Sequence, residues 1–296
     1  MASSGKVEPG NRGEYSATPK KQKKWEPENP ITIAISANIF QDPVISFVKA
    51  LKMVNDALRQ NYPESKELFR VLLTSDNLPD SLMTTISENE LDDLIIPLPV
   101  GGRDFIGELR ENNTLLYLSA EKSKAGEALN NGIAAAAVFI PETMEGVSET
   151  QLRVAFDGDA VLFSNESELF FKDGLEAFFK HEKDNVDNPM NEGPLKGFLE
   201  VLQRLQRKLR DKKIEGIFPI RTYLVTSRGT GCAGYRALNT LCTWDLETDE
   251  AVFLCGTEKG PTLEKIRPHI FFDDRMNHIN AALAVGTFAC LVPDHA

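Results

Sequence analysis

Long apolar runs are missing from this chain. The longest, IAAAAVFI at residues 133–140, falls far short of the ~20 residues that a bilayer-spanning helix needs. The opening residues, MASSGKVEPGNRGEY, also lack the apolar core of a signal peptide. These absences predict a protein that neither enters a membrane nor is secreted. Cysteine is scarce too. Its four copies (Cys232, Cys242, Cys255, Cys290) lie in the last quarter with no Cys-x-x-Cys spacing, which excludes a disulfide framework or zinc ribbon and points to a reducing, cytoplasmic compartment. The four histidines (His181, His269, His278, His295) show no metal-ligand spacing and read as satisfied or exposed imidazoles.

Nor is there a surplus of positive charge. The formal net charge is −11, and the residues before Pro30 hold six bases against four acids, which leaves about −13 on the remainder. A body so acidic excludes nucleic acid as a partner, so local charge must hold any anionic substrate. The stretch up to about Glu28, with PKKQKKWEPENP, is polar and lysine-rich and reads as a mobile basic tail over residues 1–28.

From Ile31 onward, short apolar runs alternate with amphipathic stretches, the pattern of βαβ units around a largely parallel sheet. Strands are expected at ITIAIS (31), FRVLLTS (69), TLLYLSA (114), IAAAAVFI (133), LRVAFDGD (152), RTYLVTS (221), AVFLCG (251), HIFFDD (269) and TFACLVP (287). Two helices show one apolar face each: Val44, Phe47, Val48, Leu51, Val54 and Leu58, then Leu195, Phe198, Leu199, Leu202, Leu205 and Leu209. Asp42-Pro43 and Gly193-Pro194 are expected to open them, as cap residue and first-turn proline.

The chain also reads as one plan used twice. RVLLTSDN parallels TYLVTSRG, LLYLSAE parallels IFFDDR, and GIAAAAVFIP parallels VGTFACLVP. Gly102 to Ser119 and Gly256 to Asp273 are both 17 residues, while Ser119 to Gly132 and Asp273 to Gly286 are both 13. Two related α/β units follow, at residues 29–145 and 150–296. In this register Ser36 and Asn38 stand opposite Asp157 and Asp159, Phe105 opposite Lys259, and Ser119 and Ala120 opposite Asp273 and Asp274. Thr74 opposite Thr226 keeps its identity, so the first unit has the scaffold without the acids. The second unit also carries an insertion, residues 164–193, with helix-spaced Leu169, Leu175, Phe178 and Phe179. It reads either as a helical cap over the site or as a surface hairpin, and its phenylalanines either stack on a base or pack together.

Candidate chemistry concentrates at VAFDGDAVLFSNESE, residues 154–168. An EF-hand reading fails, because its positions 5 and 6 are Val161 and Leu162 where an oxygen ligand and a glycine are required. A strand ending in Asp157 and Asp159 instead places two carboxylates on one side at its C-terminal end, where open parallel sheets hold their ligands. Other strand ends supply Thr226 and Ser227, Lys259, and Asp273 with Asp274. A carboxylate attacking phosphorus needs a general acid, hydroxyl and ammonium donors, and a divalent ion to offset repulsion between anions. Converging carboxylates imply a hard cation with oxygen ligands, for which magnesium fits best. Lys265 competes with Lys259 for the ammonium role, but Lys259 sits in a glycine-flanked loop. GTGCAG at 229–234 fits a dinucleotide fingerprint, yet that reading leaves the acids without a role.

The ordered set Asp157-Gly158-Asp159-Ala160-Val161, Thr226, Lys259 and Asp273-Asp274 resembles the four motifs of the haloacid dehalogenase superfamily of phosphohydrolases. The longer strings QLRVAFDGDAVLFS, GPLKGFLE, PIRTYLVTSR, LETDEA and KGPTLEKIRPHIFFDD resemble the AMP-preferring cytosolic 5′-nucleotidases within it, from about Pro30 to Pro293. The resemblance implies a Rossmann-like three-layer fold with a small helical cap, preceded by the acid-free half. It implies Asp157 as nucleophile, Asp159 as general acid and then base, and Thr226, Ser227 and Lys259 as phosphate ligands. Mg2+ would sit on the Asp157 carboxylate, the Asp159 carbonyl and Asp274, with Asp273 in support. It further implies a nucleoside monophosphate substrate, ADP as activator, and a homo-oligomer.

Overall fold

A computed structural model describes residues 29–101, 104–144, 146–212 and 218–294. The basic tail expected at residues 1–28 lies outside them, as does His295. The strands are β1 (Ile31–Ser36), β2 (Phe69–Ser75), β3 (Ile95–Pro99), β4 (Thr114–Ser119), β5 (Ala135–Phe139), β6 (Leu152–Phe156), β7 (Ile220–Thr226), β8 (Glu250–Phe253), β9 (Ile270–Asp273) and β10 (Ala289–Leu291). They form one continuous sheet in the order β3-β2-β1-β4-β5-β10-β9-β6-β7-β8. Within each half the pairing is parallel, and the halves meet through antiparallel β5 and β10, with Cys290 opposite Val138. Read outward from that junction, β5-β4-β1-β2-β3 and β10-β9-β6-β7-β8 are the same sequence of strands. The doubled pattern of the sequence is thus laid out in space as two like blocks related across the β5/β10 seam.

Nine of the ten strands coincide with the apolar runs. The tenth, β3, is IIPLP, whose Pro97 and Pro99 argue against a strand until its place is known. It pairs with β2 alone at the sheet margin, where missing N–H donors cost least.

The α-helices of the described residues are α1 (Asp42–Asn61), α2 (Asp80–Glu88), α3 (Phe105–Glu111), α4 (Lys122–Asn130), α5 (Glu166–Phe171), α6 (Leu175–Asp184), α7 (Lys196–Asp211), α8 (Cys232–Thr243), α9 (Gly260–Ile266) and α10 (Met276–Ala284), and the longest of them cover the sheet with the faces the periodicity marks. In α1 (Asp42–Asn61), Val44, Phe47, Val48, Leu51, Val54 and Leu58 are all fully buried, and in α7 (Lys196–Asp211) so are Phe198, Leu199, Leu202 and Leu205. α1 packs against β2 and β6, and the two helices touch each other across the seam. At the 25 cal/mol per Å² that apolar burial yields, each such leucine or phenylalanine contributes about 1.5–3 kcal/mol. No described helix is long and apolar enough to cross a membrane.

The helix starts differ from the expectation. Asp42 is the first residue of α1 and Gln41 its cap, with Pro43 still in the first turn. α7 begins only at Lys196, capped by Leu195. The cause is a tertiary demand on the preceding residues, whose amides bond the segment after β6: Gly193 N–H donates to Leu162 O at 2.8 Å and Leu195 N–H to Val161 O at 3.0 Å. Gly193 is there because nothing larger fits. A Cβ would stand 2.3 Å from Phe163 O and 2.5 Å from Val161 O, so Gly193→Ala must push the 157–163 loop away. That variant should lose about 1–3 kcal/mol of stability and most of any activity the loop supports, measured by urea unfolding and by turnover. An unshifted urea midpoint would count against this account of the loop.

Candidate active site

In each block the chain leaves the first strand to one side and returns on the other, so a crevice opens between the C-terminal ends of β1 and β4, and of β6 and β9. In the first block hydroxyls close it: Ser36 Oγ lies 2.9 Å from Tyr117 OH and 3.4 Å from Ser119 Oγ, and Phe105 packs edge-on against Tyr117. In the second block the crevice is charged. Asp157 directly follows β6, Thr226 ends β7, Asp273 ends β9 with Asp274 next, and Lys259 caps α9 (Gly260–Ile266).

Lys259 is the hub. Its ammonium is fully buried and lies 2.7 Å from Asp157 Oδ1 and 2.7 Å from Asp273 Oδ2. Lys265, its rival in the sequence, is exposed in the last turn of α9. The Asp157 carboxylate also accepts from Gly158 N–H at 2.7 Å. Burial pushes its pKa from 3.8 up to about 6 against the pull of Lys259, with Asp273 and Asp159 adding to the rise. Burial acts on Asp273 the same way, but Lys259 and His278 outweigh it and hold that carboxyl below its ordinary value.

Three residues past Asp157 the chain turns sharply, Ala160 taking φ +58°, and this turn presents Asp159 to the same crevice. Arg228 grips Asp159 with two parallel bonds, Nη2 to Oδ1 at 2.7 Å and Nε to Oδ2 at 2.9 Å. Thr226 Oγ1 accepts from Arg228 N–H at 3.2 Å and lies 3.4 Å from where a Cβ on Gly158 would sit. Asp157, Asp159, Thr226, Ser227, Lys259, Asp273 and Asp274 therefore come to one crevice, and Lys265 does not.

The insertion forms two helices, α5 (Glu166–Phe171) and α6 (Leu175–Asp184), which pack on each other, α6 also meeting α8 (Cys232–Thr243). They stand over the strand ends. A cavity of about 500 Å³ lies between them and the sheet, its floor Asp157, Asp159, Thr226 and Ser227 and its far wall Phe171, Leu175, Phe178 and Phe179. Phe170 turns away and stacks on His181 with ring centroids 3.8 Å apart.

Several lining residues carry no signal in the sequence. Arg228 follows the strand-end hydroxyls directly, which is the one hint of its place. Arg275 pairs with Glu168 of α5. His278 Nδ1 donates to Asp273 Oδ1 at 3.0 Å, so one histidine read as bland stands at the site.

The donors suit a hard divalent cation. Asp157 and Asp273 share one ammonium, and beside them Asp274 Oδ1 is buried with no hydrogen-bond partner, a costly state for a carboxylate unless a cation meets it. Burial, together with Asp157, Glu168 and Asp273, pushes Asp274 from 3.8 up to about 8. Asp157, Asp273 and His278 also bring ligand atoms within 4.8 Å of one another. Both Asp273 oxygens are already bonded, to Lys259, His278 and the Arg275 amide, which leaves Asp274 the better-suited oxygen donor.

A carboxyl whose pKa is raised by folding opposes the folded state once it must ionise. Its penalty is absent below about pH 4, grows as pH rises, and levels off above about 8. In chelator, Asp274→Asn should therefore be more stable than the parent at pH 7.5, by roughly 2–4 kcal/mol, with the advantage fading toward pH 4. Mg2+ should raise the melting temperature of the parent and not of the variant. Calorimetric melts at several pH values check both; equal Mg2+ effects on the two proteins would remove Asp274 from the cation site.

Comparison with known proteins gives this geometry its lineage. The family described as 5′-nucleotidase matches residues 36–296. The human protein Cytosolic 5′-nucleotidase 1B is 41% identical over 314 aligned positions, which cover 94% of this chain and 52% of the human one. The chain spans about half the length of that relative. On the extent of the match and on the α/β fold that carries it, the chain belongs to the 5′-nucleotidase family.

Proposed function

We propose that this protein is a magnesium-dependent 5′-nucleotidase that hydrolyses nucleoside 5′-monophosphates, AMP preferentially, through an aspartyl-phosphate. The observation that carries the reading is the placement of Asp157 at the floor of the cavity, paired with Lys259 and two residues from a second carboxylate on the same side.

Asp157 is the nucleophile. One of its oxygens attacks phosphorus in line with the 5′-oxygen; the new bond forms as the P–O5′ bond breaks and Asp159 gives its proton to the departing oxygen. Asp159, now a carboxylate, takes a proton from the water that attacks the aspartyl-phosphate and releases phosphate. Thr226 and Ser227 offer hydroxyls to the phosphoryl oxygens, and Lys259 offers charge to them while orienting Asp157. Asp157, Asp274 and the Asp159 carbonyl are the groups to hold Mg2+, with Asp273 in support. When bound, the cation supplies charge that offsets repulsion between the nucleophile and the phosphate.

The aromatic wall of the cavity favours a nucleotide over a sugar phosphate, because Phe171, Phe178 and Phe179 offer stacking faces that suit a flat base better than a hexose rimmed with hydroxyls. The name of the human relative includes the word cytosolic, and we place this chain in the cytosol on that likeness. We assign residues 29–145 as a non-catalytic unit, 150–296 as the catalytic unit, and 164–193 as its cap.

The test is phosphate release from AMP and from hexose phosphates with Mg2+ present. AMP should be hydrolysed faster by at least about tenfold, roughly what one methylene-scale contact difference or more is worth. Asp157→Asn should lower turnover by about 10³-fold or more while AMP still binds; turnover unchanged in that variant would end the proposed mechanism.

A further inference from the structure

The largest buried charge cluster in the described residues that the mechanism above leaves unused lies between the cap and the sheet. Glu182 of α6 is fully buried. Its carboxylate receives Arg228 Nη1 at 2.6 Å, Arg236 Nη1 at 3.1 Å and the Ser167 hydroxyl at 2.6 Å. Arg236, on α8, also donates to Glu166 of α5 at 2.5 Å and to Asn188 O at 2.8 Å. Arg228 is 3% exposed and meets the cap at four further points. Nη2 lies 2.9 Å from Ser167 Oγ, 3.1 Å from Met190 Sδ and 3.5 Å from Glu182 Oε1, and the guanidinium faces the Phe178 ring at 5.7 Å.

The same guanidinium holds both oxygens of Asp159, and its own amide is tied to Thr226. One residue therefore touches the cap and the candidate acid through its side chain and the phosphate-binding loop through its backbone. Stability alone does not account for such a cluster, because apolar residues of similar volume are often as good or better there. A rigid fork does what apolar packing cannot: it fixes the plane of the carboxylate it grips. Ala233 O of α8 accepts from Nη1 at 3.1 Å, and the other bonds that set the orientation of that fork come from Glu182 and Ser167, both of which belong to the cap.

We propose that Glu182 and Arg228 are positioning residues that aim Asp159 at the leaving oxygen only when the cap is seated, so that cap closure and leaving-group protonation are a single event. This rests on the reading of Asp159 as general acid given above. With the cap displaced, Arg228 keeps Asp159 but loses the bonds to Glu182 and Ser167 that fix its own angle. The carboxyl then no longer points at the departing oxygen. Substrate committed under a closed cap is hydrolysed, and phosphate esters that fail to seat the cap are spared.

The leaving group separates this role from a structural one. AMP and its analogue with sulfur bridging C5′ and phosphorus share base, sugar and phosphate, but a thiolate departs without needing a proton. Glu182→Gln keeps the shape and removes the charge. It should lower kcat for AMP by about 10²-fold, the lower end of what general-acid catalysis supplies, with KM within threefold, and change kcat for the bridging-sulfur analogue by less than threefold. Ser167→Ala removes one bond to each partner without unbalancing charge, so it serves where Glu182→Gln fails to fold. It should show the same selectivity at about five- to tenfold. Equal losses on the two substrates in a folded variant, or no loss on AMP, would overturn the proposal. Asp157→Asn run alongside keeps the two readings apart, since it must abolish both reactions if the mechanism itself holds.

Discussion

A single buried ammonium holds the acid-bearing half together. Lys259 reaches the sheet from the start of α9 and lies between the carboxylates that end β6 and β9. Without it, two neighbouring strands would each point a carboxylate into the same dry crevice. Leaving buried charge unpaired costs on the order of 3–5 kcal/mol, a large share of the stability of an ordinary domain. The rest of the site is arranged around that balance. Asp273 is stabilised as a carboxylate by three donors, Asp157 is less so, and Asp274 is least so, with one oxygen meeting no partner. The gradient runs from a group suited to fixing geometry, through a half-satisfied carboxylate at the cavity floor, to a group in need of a cation.

The two blocks of the sheet show how little of this chemistry belongs to the scaffold. Both have the same strand order and a crevice at the same place. In one, Ser36, Tyr117 and Ser119 satisfy one another and the crevice is shut. In the other, aspartates occupy the corresponding strand ends and cannot satisfy one another, so cations must enter. The seam between the blocks is closed by antiparallel β5 and β10 and roofed by α1 and α7. The acid-free block thus lends the acid-bearing one a covered sheet edge, which removes an open ladder that would otherwise seek a partner.

The cap contributes a second ionic cluster and an aromatic wall. The pairs that Glu182 makes with Arg228 and Arg236 are buried and carry directional bonds, and Phe171, Phe178 and Phe179 face the cavity. The cluster fixes where the cap stands relative to Asp159, while the wall offers a surface to whatever lies above the phosphate. Both depend on α6 settling against α8.

Local pattern was enough for most of the framework. Alternating apolar runs located nine strands, the 3.6-residue period of Val44 to Leu58 and Leu195 to Leu209 marked the buried faces, and equal spacings revealed the doubled plan. Asp157, Asp159, Thr226, Ser227, Lys259, Asp273 and Asp274 were visible in the sequence as a candidate set, because they end or follow apolar strands or, for Lys259, open a helix after one. What tertiary structure alone decided involves partners far apart in the chain. β3 is a strand despite two prolines because it lies at the margin, which no local window reveals. α7 starts late because Gly193 and Leu195 spend their amides on the loop after β6. Arg228, Glu182 and His278 acquire their roles from neighbours brought in by folding: Glu182 lies 46 residues from the guanidinium it meets. The physical reason is the same in each case. Periodicity records which side of an element faces apolar surroundings, whereas the partner of a buried charge depends on where a second element comes to rest.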